Sequence, residues 1–252
     1  MDGAGSKLAQ HNVSERTGAD TGVPVTSLTL FTYEGLWNRL WIFMQMGLAH
    51  AAMRSTKAPK PLFYKLVGSG TGVGFDPKPN WGRYGVLATW ENETAARNAL
   101  ASHPVLTKWK ARAIKTETFL LRPTRASGHW SGVEPFPVSD GQASAPLNGS
   151  IGVITRAKLK YSVLAPFWRR VPSISKQIEG ADGVEFTVGI GEVPWVHQIT
   201  FSVWRDERAI RDFAYGRGGA HAQAIEASRA GDWFGEDLFA RFALLDHTID
   251  QA

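Results

Sequence analysis

The residues best suited to redox chemistry lie in the last third of the chain. His221 sits in "FAYGRGGAHAQAIEASRAGDWFGEDLFARF" (Phe213 to Phe242), where a glycine pair precedes a helical pattern. Ala222 and Ala224 lie beside it and Ile225 one turn on, so its surroundings are small or apolar. His197 opens "HQITFSVW", whose alternation puts His197, Ile199, Phe201 and Val203 on one strand face. A helix histidine with such neighbours can approach a planar cofactor from one side, with strand residues such as Phe201 covering the other. A neutral imidazole is a normal proximal ligand of haem iron, and apolar walls suit the macrocycle. Arg217 and Arg229, a turn or two away, can make charge-assisted bonds to propionates. A satisfied structural histidine would give the same local pattern, and spacing alone does not separate the two readings.

The remaining inventory is thin. No G-x-S-x-G, phosphate-binding loop or zinc-type spacing occurs. "GSGTGVGF" (Gly68 to Phe75) alternates glycines but runs into "DPKPNW", which cannot open a helix, so it reads as a loop rather than a dinucleotide site. His11, His50, His103, His129 and His247 have no partner pattern and read as surface or structural histidines. With no cysteine among 252 residues, thiolate-ligated haem, thiolate zinc sites and iron–sulfur clusters are excluded. The absence also fits a cytoplasmic protein. The net charge of +5 is spread along the chain without a basic block, which argues against nucleic-acid binding and suits an acidic partner or acidic headgroups.

The elements that would hold these residues repeat. "TSLTLFTYE", "PLFYKLVGS", "YGVLATW" and "TETFLLRP" read as strands, with helices at Leu36–Met53 and from about Thr94 to Lys115. In the second half "GSIGVITRAKLK", "VEFTVGIG", "HQITFSVW" and "LFARFALL" read as strands, with helices at "PFWRRVPSISKQIEG" and from near Asp206. Both halves read β-α-β-β-α-β, and Asn92 and Asp206 stand as caps of matching helices. The expected architecture is α+β: two tandem ferredoxin-like units forming a pseudo-symmetric barrel of the dimeric α/β type. Its parts are a disordered lead-in (1–25), a first unit (26–130), a Pro/Gly/Ser-rich linker (131–149) and a second unit (150–252) proposed to bind haem. The Leu36–Met53 helix carries Leu36, Trp37, Leu40, Trp41, Met44 and Leu48 at helical spacing. This stripe reads as a face packed on the sheet, or as one that lines a lipid pocket or touches a membrane.

In the order of the chain, "LWIFMQMGLA", "KLVGSGTGVGFDPKPN", "YGVLATW", "GHWSGVEPF", "FWRRVPSIS", "GIGEVPWVHQITFSVW" and "HAQAIEASRAGDWFGEDLFARF" resemble the spheroidene monooxygenases, the acyclic carotenoid 2-ketolases of purple bacteria. The resemblance runs from about Ser27 to Leu245. It implies repeated oxygenation of the C-2 end carbon of an acyclic carotenoid, with haem b, molecular oxygen and electrons from a ferredoxin-type partner. Within the matching stretches His221 is the expected iron ligand, with Phe201, Arg217, Ile225 and Arg229 around the cofactor. His197 is the runner-up ligand, or a catalytic residue on the distal side. Trp37, Trp41, Phe43, Trp168, Trp195 and Trp233 are candidate walls of an aromatic slot for a hydrocarbon chain. Another haem enzyme on the same barrel, dehydratase or peroxidase-like, and a lipid- or carotenoid-binding module are the alternatives. Peripheral contact with the photosynthetic inner membrane and homo-oligomer formation are left open.

Overall fold

Strands that alternate apolar and small residues over eight or more positions must bury one face on each side when helices cover them. The computed structural model of this chain describes residues 22–55, 58–71, 78–139, 149–164, 178, 180–192, 197–215 and 234–251. Eight strands close an antiparallel barrel in the order β1-β3-β2-β6-β7-β5-β8-β4. They are β1 (Val25–Thr32), β2 (Phe63–Gly70), β3 (Pro79–Trp90), β4 (Lys115–Gly128), β5 (Ile151–Leu159), β6 (Val184–Gly191), β7 (His197–Trp204) and β8 (Phe234–Gln251). Within each half the strand order is the same: β4-β1-β3-β2 in the first and β8-β5-β7-β6 in the second. The described helices are α1 (Leu36–Met53), α2 (Glu93–Ser102), α3 (Pro104–Lys110) and α4 (Glu207–Tyr215). The expected helix at "PFWRRVPSISKQIEG" falls almost wholly outside the described residues.

The pleat sorts side chains into three cores. Leu28, Leu30, Val67, Leu87, Phe119, Ile154, Val188, Phe201 and Phe242 fill the lumen, which draws on all eight strands. Phe31, Leu66, Tyr84 and Val86 face outward in the first half and pack against Ile42 and Met53 of α1 and Trp109 of α3. Ile151, Val153 and Trp204 face outward in the second half against Ala209 and Ile210 of α4. The seams between halves are unequal: β4 and β8 pair from Lys115↔Gln251 to Gly128↔Leu238. β2 and β6 pair only at Gly68↔Gly191 and Ser69↔Ile190.

Three expectations need correcting. The helix expected over Thr94–Lys115 is two helices, because Pro104 forces the preceding residue out of helical geometry: His103 sits at φ −65°, ψ 125° and caps α3 instead. The strand expected to end near Pro123 runs on to Gly128, since a register shift between Pro123 and Arg125 accommodates the missing amide hydrogen. The apolar stripe of α1 does not lie on the sheet. Ile42, Gln45, Ala49 and Met53 are its buried residues, while Leu36, Trp37, Leu40, Met44 and Leu48 are exposed. Both faces of this helix are apolar, so spacing could not say which one docks. Asn92 and Asp206 cap as expected, accepting from Ala95 N and Ala209 N at 2.8 Å each.

Candidate functional site

The inward face of β7 carries His197, Ile199, Phe201 and Val203, and it ends at one mouth of the barrel. Phe201 is fully buried, with ring centroids 4.9 Å from Phe119 and 6.0 Å from Phe186. His197 lies at the rim, its Nδ1 3.6 Å from Oε2 of Glu192, too far for a hydrogen bond, and without any partner. Burial pushes the His197 imidazole below its ordinary pKa. Glu192 opposes that shift, and Arg156, Lys158 and Lys65 reinforce it. The ring is therefore neutral at neutral pH, with Nδ1 free to take or give a proton.

The same mouth holds an ionic cluster around one indole. Glu192 accepts from Lys65 Nζ at 2.7 Å and from Trp130 Nε1 at 2.7 Å. Lys65 also donates to Ser131 Oγ at 2.8 Å. Arg156 donates to Glu236 at 2.7 Å, and Glu236 accepts from the amides of Ser131 and Gly132. Lys65 and Arg156 lie over the Trp130 ring at 5.8 and 5.2 Å. Phe136, a few residues further on, is buried against Phe242 and Phe63. The stretch Trp130–Phe136, at the start of the expected linker, thus plugs this mouth.

A buried carboxylate lies in another part of the lumen. Glu117, 3% exposed, meets Arg83 at 3.1 Å, Lys115 at 3.2 Å and His247 at 3.3 Å. The imidazole of His247 stacks on Phe119. None of Lys65, Arg156, Glu192, Glu236 or Glu117 was singled out by spacing. The available signal was a lone charge at an inward position of an otherwise apolar strand, as in "FYKLV", "TRAKL" and "TETFLL".

The outer face of β6 and β7 differs in kind from its counterpart in the first half. There β2 and β3 present Tyr64, Leu66, Tyr84 and Val86 to α1. Here Thr187, Gly189, Thr200 and Ser202 alternate away from the lumen, and Thr187 pairs with Ser202 and Gly189 with Thr200. The hydroxyls of Thr187 and Thr200 are buried and have no hydrogen-bond partner. This is a flat wall of small side chains with two unsatisfied hydroxyls.

His221, Arg217, Ile225 and Arg229 lie outside the described residues, as do Trp168, Trp195 and Trp233. Of the expected cofactor set, His197 and Phe201 can be placed, and they share one face. Trp37 and Phe43 are exposed on α1, and Trp41 packs beside Tyr33. Among the described residues no three His, Asp or Glu side chains gather as a metal-binding set.

No known family's sequence profile matches the chain. Two fold relatives among solved structures are aldoxime dehydratases, one of them in complex with butyraldoxime. They match at TM-score 0.59 with 9% and 10% identity, over 90% and 91% of this chain and 81% and 85% of theirs. At that identity the likeness is one of fold. Among curated proteins, the spheroidene monooxygenase of Cereibacter sphaeroides is 43% identical over 220 residues, 87% of this chain and 66% of its own length. That of Rhodobacter capsulatus is 41% identical over 88% of this chain and 91% of its own. That of Rubrivivax gelatinosus is 35% identical over 74% and 70%. The chain spans about two thirds of the first and nearly all of the second, and with that coverage it belongs to the spheroidene monooxygenase family.

Proposed function

We propose that this protein is a haem-dependent monooxygenase that hydroxylates, then ketolates, the C-2 end carbon of an acyclic, spheroidene-type carotenoid. Molecular oxygen is the oxidant, and a ferredoxin supplies the electrons. The observation that carries the reading is 41% identity to the Rhodobacter capsulatus spheroidene monooxygenase, extending through most of the barrel. The net charge of +5 supports an acidic electron donor. The location that fits these partners is the cytoplasmic side of the inner membrane. The repeated strand order supports two tandem ferredoxin-like units, 26–130 and 150–252, joined by the linker 131–149.

Haem, when bound, would supply the oxidising power for C–H oxidation that side chains lack. The lumen does not fit it, because Leu28, Phe119, Ile154, Phe201 and Phe242 are fully buried there and fill the space a macrocycle would need. The outer face of β6 and β7 is the better candidate, because its side chains are small and the buried hydroxyls of Thr187 and Thr200, which lack partners, could donate to a polar edge. On this reading His221 would hold the iron with Ile225 as an apolar neighbour, and Arg217 and Arg229 would neutralise carboxylates of the cofactor. Phe201 acts from behind the sheet, fixing β7 through its lumen contacts. His197 lies on the lumen face, across β7 from that wall, so its proposed part is to handle a proton at the barrel mouth, with its neutral form kept by burial.

The test is expression beside a spheroidene pathway and an electron donor, with chromatography of the pigments. A 2-hydroxy or 2-keto product is expected, and its absence defeats the reading. The purified protein should show a Soret band that His221→Ala abolishes, whereas His197→Gln should keep the band and lose at least tenfold in turnover. Full haem retention by His221→Ala would remove the ligand assignment.

A further inference from the structure

Helix α1 is apolar on two opposite sides, and one of them is bare. At about 100° per residue, buried Ile42, Gln45, Ala49 and Met53 point at the sheet. Leu36, Trp37, Leu40, Phe43, Met44 and Leu48 occupy an opposing arc of roughly 140°. Their exposure runs from 46% at Leu40 to 82% at Trp37. Trp81 of β3, also exposed, extends the patch by meeting Phe43 edge to face at 6.1 Å. Such a contiguous surface of large apolar side chains is not left in water without a partner.

The charges beside the patch identify that partner. The 18 residues of α1 include no Asp or Glu. Arg39 borders one edge of the arc by its helical position, and Arg54 caps the end. On the other edge stands Trp41, with Arg112 and Lys108 over its ring at 4.6 and 5.9 Å. The nearest carboxylate in sequence is Glu34, ahead of the helix. Two copies of the chain meeting on this face would set cations against cations with no helix carboxylate between them. An anionic lipid surface satisfies both features, taking the apolar arc at the acyl boundary and the rim of cations at the headgroups. No described helix is long and apolar enough to cross a membrane.

We propose that the outer face of α1 seats the protein in the surface of an anionic bilayer. The proposal extends the oxygenase reading, because a carotenoid is stored in the bilayer, and its test needs no substrate. The full chain is floated with carotenoid-free vesicles of phosphatidylcholine, alone or mixed with phosphatidylglycerol. It should float with the anionic vesicles and bind neutral ones about tenfold more weakly. The exposed triple variant Trp37→Ser/Phe43→Ser/Leu48→Ser should lose about tenfold or more in partitioning while keeping the wild-type circular dichroism and melting curve. Arg39→Glu/Arg112→Glu should lose the preference for anionic lipid. Flotation of the triple variant at wild-type level, or no flotation of the wild type, overturns the proposal. A lipid-free dimer that the triple variant splits into monomers, with no vesicle binding, would assign the face to a second copy instead. Product formed from detergent-dispersed carotenoid without vesicle binding would overturn this proposal and leave the oxygenase reading standing. Flotation without product does the reverse.

Discussion

Arg156 is withdrawn from water, with its side chain 1% exposed, and its guanidinium is met by Glu236 and by the Trp130 ring. Burial works to raise the Glu236 carboxyl, but the amides of Gly132 and Ser131 and the Arg156 guanidinium outweigh it and hold the group below its ordinary value. Arg156→Met should therefore cost about 2 kcal/mol in urea unfolding, since it removes a charge-assisted bond while the Ser131 and Gly132 amides still hold the Glu236 carboxylate. Adding Glu236→Gln should recover part of that loss. His103 poses the opposite problem. It is fully buried, its Nδ1 accepts from Val105 N at 3.2 Å to cap α3, and its Nε2 has no partner. Burial lowers its pKa from 6.5, so the unfolded chain binds the proton more readily than the fold does. Stability is then held above pH 6.5 and lost as pH falls through the lowered value, and His197, also lowered by burial, acts in the same direction. His103→Asn, which retains a capping side chain, should make the unfolding midpoint fall less steeply below pH 6.5.

Among the elements, the strap Trp130–Phe136 does more than connect. Phe136 is 2% exposed and wedged edge-on against Phe242 at 5.0 Å, so Phe136→Ala should cost about 3–5 kcal/mol, measured by thermal or urea unfolding. Composition places Ser131–Phe136 in a linker because Ser, Gly and Pro are frequent there, yet buried Trp130 and Phe136 anchor its two ends. The strands β6 and β7 were legible to their end residues, because glycine or tryptophan bounds the alternation, although a register shift between Val184 and Phe186 interrupts it in β6. The shared inward face of His197 and Phe201 was legible because one strand carries both. The Lys65–Glu192 and Arg156–Glu236 pairs join residues far apart in the chain, and only barrel closure brings them together. For α1, whose two sides are both apolar, sequence spacing is symmetric and the sheet decides.

For the molecule as a whole, the barrel is two four-stranded sheets closed by one long seam and one short one. The short seam between β2 and β6 is supplemented by Lys65–Glu192, a pair that bridges β2 to the end of β6 with both side chains about one-fifth exposed. Amide exchange should reveal this asymmetry. Protection at the β6 edge should fall at least tenfold below that along β4 and β8, and Lys65→Ala should widen the gap. Equal protection at the two seams would contradict this account of how the barrel holds shut.

The long seam has a different consequence for chain continuity. Because β4 and β8 pair along nearly the full length of β4, peptide linkage between the halves serves mainly to raise their effective concentration. A protein cut at an engineered protease site between Ser139 and Gly149 should then migrate as a non-covalent heterodimer, dissociating on dilution rather than on cleavage. In that sense the single polypeptide behaves as a tethered pair, in which the tether sets how often the partners meet and the β4–β8 ladder sets how long they stay together.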